Sequence, residues 1–131
     1  MGQYVDSVKR FLESKGLHFE EEKHKLVKNG LFELSASRAL NDSERKQTLE
    51  EMPFFTQDDL DKTRVLCVVL IKSNKKADKE ELLFWNGRYQ NAIAPPEMYF
   101  VSCEGFEKSA VKYAQRYRGI TLVQGSKKLR Q

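Results

Sequence analysis

The sequence predicts an α/β fold: a single domain with a mixed central sheet flanked by helices, in the order α-β-β-β-α-β-α-β. Three observations carry that prediction. The run Val65 to Ile71 is apolar without alternation and rich in β-branched residues, as in a central strand covered on both faces. Three late strand-like runs alternate with two helical ones, a pattern that needs crossovers and a partly parallel sheet. Finally, 131 residues with 40% hydrophobic content suffice for one core and are too few for two.

The elements follow in order. Tyr4, Val8, Phe11 and Leu12 recur at helical spacing and Gly16 stops them, which predicts a helix over 3–15. "LHFEEE" alternates from Leu17 and reads as a strand. "EKHKLVKNG" reads as a polar turn, with Asn29-Gly30 as a hairpin signal, and "LFELSAS" resumes as a second strand. Residues 37–63 break the pattern. They read as an excursion from the sheet, a partly mobile loop with one helical turn or two, a short "SERKQTLEEM" helix candidate and an apolar plug at Pro53-Phe54-Phe55. "VLCVVLIK" is the central strand. "ADKEELLFWNGRYQNAIA" is a helix ended before Pro95-Pro96. "MYFVSC" is a strand, "GFEKSAVKYAQRYRG" a helix with Gly119 at its C-cap, and "ITLVQG" a last strand. The domain is expected to span 1–131 with its excursion at 37–63.

Composition excludes several classes. No apolar run approaches the length of a membrane span, and the first ten residues lack the apolar stretch of a secretory signal. Cys67 and Cys103 sit in strand-like runs and read as reduced thiols, so an intracellular chain is expected. With two histidines and no Cys-x-x-Cys, a structural zinc site is not indicated, and His18 and His24 read as surface residues. Ser102 lacks the frame of a nucleophile elbow. The net charge is +4, yet no acidic residue follows Glu107, whereas Lys108, Lys112, Arg116, Arg118, Lys127, Lys128 and Arg130 do. Such a block is either a solvated face or a surface for phosphate. Trp85 and Tyr89, four apart, read as core rather than as a stacking face, and Arg88 beside them as a phosphate contact or a solvated cation.

Ligand sites in α/β sheets lie at strand ends, which directs attention to Glu33, to Lys72, to Glu20, Glu21 and Glu22, and to Glu80 and Glu81. Carboxylates beside a lysine suit phosphodiester hydrolysis. They would hold a divalent cation that activates water, and the lysine would orient that water or stabilise developing charge. The plainer account is an ion pair or two solvated strand edges. A strand-end lysine is also expected to bury little, so that Lys72→Ala should leave folding nearly intact.

This layout resembles the Mrr-type branch of the restriction-endonuclease-like, PD-(D/E)xK, nucleases. "GLFELSA" resembles the strand bearing the first catalytic acid, with Glu33 where the family usually has Asp, and "VVLIK" resembles the lysine strand. "MYFVSCEGFEKSAVKYAQRYRGITLVQG" is the closest part, through Gly105-Phe106, Ala110, Ala114, Gly119-Ile120 and Leu122. The resemblance implies Glu33, Lys72 and Glu80 as the catalytic set, with Mg²⁺ on Glu33 and Glu80 where the site is active. Glu81, Glu20 or Glu22 are other sources of the second carboxylate. It departs from the family at Leu70, where Glu or Gln should stand two before the lysine, and at Val5, where the early helix often carries glutamate. The expectation is therefore a nucleic-acid-binding domain, for DNA, on a nuclease-like scaffold with a degenerate site. Lys108, Lys112, Arg116, Arg118, Lys127 and Lys128 would hold phosphate. Two alternatives stand beside it: a metal-dependent DNA endonuclease, and a non-catalytic protein-interaction subunit using 37–63 toward a protein partner or a second copy.

Overall fold

The computed structural model describes residues 2–19, 25–28, 31–73, 75–91, 94–117 and 119–124. The elements are α1 (Gly2–Ser14), β1 (Leu17–Phe19), β2 (Lys25–Lys28), β3 (Leu31–Ala39), α2 (Asp42–Glu51), α3 (Gln57–Lys62), β4 (Arg64–Lys72), α4 (Lys79–Gln90), β5 (Glu97–Ser102), α5 (Lys108–Gln115) and β6 (Ile120–Gln124). They build one mixed sheet in the order β1-β3-β4-β5-β6. The edge beside β3 is shared: β1 pairs with Ala36 to Arg38, and β2 pairs with the other end, Lys25 opposite Glu33. β3 and β4 are antiparallel, whereas β4, β5 and β6 run parallel through the α4 and α5 crossovers. The α/β class and the mixed sheet between helices are as the sequence predicts.

The pleat of β4 explains its unbroken apolar run. Cys67, Val69 and Ile71 join a core with Val5, Val8 and Leu12 of α1. Val68 and Leu70 face the other way, into a core with Leu82 and Trp85 of α4 and Ala110, Tyr113 and Ala114 of α5. Alternate side chains thus feed two cores, and no position of the run from Cys67 to Ile71 is free to be polar. The start of the strand is different, with Leu66 exposed.

Two parts of the chain depart from expectation. Lys25–Lys28 lies within the stretch read as a polar turn, yet it forms β2. An edge strand with one neighbour and lysine at both ends gives little alternation to read. Lys28 and Leu31 are antiparallel partners, while Asn29-Gly30 between them lies outside the described residues. The excursion holds two helices: α2 falls on the "SERKQTLEEM" candidate, and α3 is the one not expected. Asn41 and Glu44 form a capping box for α2, Thr56 and Asp59 one for α3, so each first turn has free amides satisfied locally. Arg38 of β3 then fastens α2 to the sheet. Its guanidinium donates to both carboxylate oxygens of Glu44 at 2.7 and 2.8 Å and to both of Glu97 at 2.8 and 2.7 Å. Leu60 plugs α3 into the body at 1% exposure, whereas Phe54, expected to dock, is 76% exposed and packs edge-on against Phe55.

Cys67 and Cys103 are not joined in a disulfide, and burial pushes the Cys67 thiol up to about 11. Among the described residues no helix is long and apolar enough to cross a membrane.

Candidate functional site

Lys72 ends β4, on the same sheet face as Leu70 and the α4–α5 core. Its side chain is only 4% exposed, because α4 begins directly over it. Asp78 caps that helix, accepting from the Glu81 amide at 2.9 Å, while Glu81 returns one oxygen toward the Asp78 amide at 3.3 Å. The second oxygen of Glu81 accepts from the Lys72 ammonium. One carboxylate therefore closes the cap and neutralises the strand-end cation. Lys72 is buried and paired, which overturns the expectation that it buries little.

Helix phase decides which glutamate arrives. Glu81 lies one turn before Trp85, on the buried side of α4 with Leu82 and Asn86. Glu80 lies one turn before Leu83 and Phe84, which are both exposed, and Glu80 itself is exposed. Glu81, not Glu80, thus reaches Lys72. Glu33 is half-buried on β3, directly opposite Leu70 and diagonal to Lys72, since Leu31 is the residue opposite the lysine. Such diagonal neighbours have their Cα atoms about 7–8 Å apart, within reach of long side chains. Between them stands Leu70, fully buried. On the other side Ser102 of β5 is opposite Lys72 and is also fully buried. Glu20, Glu21 and Glu22 lie outside the described residues. Among the described residues no three His, Cys, Asp or Glu side chains gather as a cation cage.

The basic residues sort differently. On α5, Ala110, Tyr113 and Ala114 face the core, and Lys108, Lys112 and Arg116, four apart, are all exposed on one side. Arg118, Lys127 and Lys128 lie outside the described residues. Between α4 and α5 runs a cleft of about 350 Å³. Lys112 and Arg116 line it from α5 and Lys79 from α4, with Leu83, Ser109, Tyr113 and Tyr117 completing the walls. No carboxylate is among these lining residues.

The cleft's aromatic wall is held from behind. Buried Asn86 donates to the Tyr113 hydroxyl at 3.0 Å and accepts from Gln90 at 3.2 Å. Tyr113 is 9% exposed, and burial raises its hydroxyl above the ordinary tyrosine value. The Tyr117 ring leans on it at 4.7 Å between centroids, tilted by 40°, and is itself 44% exposed. Trp85 is buried and Tyr89 half-buried, stacked at 6.3 Å, so this pair is core as expected, with Arg88 over the Trp85 ring at 5.4 Å.

No family model, curated protein or solved structure matches the chain. Sequence reasoning finds Lys112 and Arg116 but misses Lys79 and the exposed side of Tyr117. Helical spacing counts Tyr117 into the apolar stripe of α5, although it lies beyond the helix's last residue, where that periodicity no longer fixes its direction. Lys79 is within reach of the sequence, since the helix start signalled by Asp78 puts it in the first turn, facing outward.

Proposed function

We propose that this chain is a nucleic-acid-binding domain, for DNA, on a nuclease-like scaffold whose catalytic centre is degenerate. The observation that carries the reading is the exposed row Lys108, Lys112 and Arg116, continuous with a cleft lined, among the described residues, by three cations and no carboxylate. A phosphate backbone is the polyanion that such spaced cations suit, with binding driven by release of its counterions. Degeneracy is supported by two features. Leu70, without an oxygen to offer a metal, fills the position two before the lysine, and Glu81 neutralises Lys72 in a buried pair. Two cysteines outside any disulfide suit a reducing, intracellular compartment.

The test is fluorescence anisotropy with labelled DNA across a range of salt. Wild type should bind with a steep salt slope, and Lys108→Glu with Lys112→Glu and Arg116→Glu should flatten it by about 2 to 3 in log–log terms. Unchanged affinity in the triple variant would sink the proposal.

A second reading, a metal-dependent endonuclease, is favoured by one observation: Glu33 and Lys72 share a sheet face at diagonal positions. The described residues do not make up a Mg²⁺ site on their own, because Glu80 points outward and both oxygens of Glu81 are committed. Calorimetric titration with Mg²⁺ and Mn²⁺ decides it. Saturable binding that disappears in Glu33→Gln would restore this reading.

A further inference from the structure

The cleft between α4 and α5 differs from an ordinary basic patch in having a rigid aromatic wall beside its cations. We propose that it takes single-stranded nucleic acid, one nucleotide at a time, with a base stacked on Tyr117 and the flanking phosphates on Lys79, Lys112 and Arg116. The inference rests on the nucleic-acid reading above and names the form of the ligand. Size is the first argument. At about 350 Å³ the cleft is at the small end of ligand pockets, of a size for one flipped-out or unpaired nucleotide and too small to enclose a duplex. Preorganisation is the second. Gln90, Asn86 and Tyr113 form a hydrogen-bonded chain behind the platform, so that the Tyr117 ring leans on a fixed neighbour and keeps one side to solvent. Charge is the third. Lys79 on α4 faces Lys112 and Arg116 across the cleft, and with no carboxylate among the described lining residues their repulsion is relieved by a bound phosphate. The Ser109 hydroxyl in the same wall is a hydrogen-bond donor for a phosphate oxygen. Aromatic stacking is indifferent to base identity, so little sequence preference is expected.

Anisotropy with a short labelled oligothymidylate and with a duplex of equal length tests this in wild type, Tyr117→Ala, Tyr117→Phe and the pair Lys112→Gln with Arg116→Gln. Single strand should bind more tightly than duplex. Tyr117→Ala should weaken the single strand by on the order of 10-fold and leave the duplex unchanged, and Tyr117→Phe should keep the affinity. The double cation variant should lower the single-strand salt slope by about 1.4, roughly 0.7 per lost phosphate contact. Equal weakening of both forms, or none in Tyr117→Ala, overturns stacking in the cleft while the nucleic-acid reading stands. Failure of both forms to bind wild type overturns that reading and this inference together. Polyglutamate displacing the oligonucleotide at equal charge concentration, with Tyr117→Ala binding both normally, assigns the cleft to an acidic peptide and likewise overturns it.

Discussion

Replacing Lys72 tests the buried pair most directly. Lys72→Met keeps the length of the side chain and removes its charge. What remains is the Glu81 carboxylate, 14% exposed, with the Asp78 amide as its partner among the described residues. Breaking a buried pair from one side costs about 3–5 kcal/mol, and the lower end applies here because one oxygen retains a backbone donor and some water. A loss of about 3 kcal/mol lowers Tm by about 10 °C for a domain of this size. Glu81→Gln keeps the capping box, which accepts either residue, but strands the Lys72 ammonium. The double variant, Lys72→Met with Glu81→Gln, removes both charges and should return to within about 1 kcal/mol of wild type. Urea unfolding followed through the single, buried Trp85 measures all four proteins. Strict additivity of the two single losses would show that Lys72 and Glu81 do not act as a pair, and the account of the strand end would fall. Anisotropy on the same variants adds a second check. Nucleic-acid affinity of folded Lys72→Met should match wild type, because the ammonium is not on the exposed basic face.

Three further outcomes follow from the packing. Arg38, with the Asn41 amide behind it, holds the Glu44 carboxyl down to about 2, so its stabilisation is fully present above the ordinary carboxyl range near 4.5 and is lost as pH falls toward 2. With 32% of that side chain in solvent the loss should be about 1–2 kcal/mol, and Glu44→Gln should flatten this part of the pH–stability curve. Leu60→Ala should cost about 3 kcal/mol in urea unfolding, whereas Phe54→Ser should stay within about 0.5, which tests whether α3 is held by Leu60 alone. Gly105→Ala should lower stability by about 1–2 kcal/mol, since the backbone there has φ +92° and a new Cβ would stand 3.3 Å from the Gln124 amide.

The sheet was legible where one residue type filled both faces. The run through Val69 and Ile71 could be nothing but a central strand, and the helices that flank it announce themselves through Gly and Pro punctuation. Of the helices in the excursion, α2 was legible in "SERKQTLEEM", and "NDSE" and "TQDD" mark the starts of both as capping boxes. β2 was not, because its pairing is made by backbone at an edge, where side chains need not alternate. Within the candidate site, the sequence supplied Lys72 and two neighbouring glutamates. Choosing Glu81 over Glu80 required the phase of α4, and that phase is fixed by which of Phe84 and Trp85 is buried. Two adjacent aromatics leave that choice open until the helix is docked.

That choice governs how the strand end is interpreted. A lysine that orients water must offer its ammonium to solvent or substrate, and a lysine that supports a fold is enclosed and neutralised. Lys72 is of the second kind in this structure. Leu70 bears on this. With a carboxylate at that position, Lys72 would have an anion beside it on its own strand and Glu81 would be free to serve the helix cap alone. With leucine there, the positive charge is met from α4, by Glu81. The Lys72–Glu81 pair thus stands in for the anion that the strand lacks, and Leu70→Glu should release Glu81 from it. In that variant, Lys72→Met should be no more destabilising with Glu81 present than with Gln in its place. A full Lys72–Glu81 coupling that survives Leu70→Glu would show that the pair exists for the helix and owes nothing to the strand.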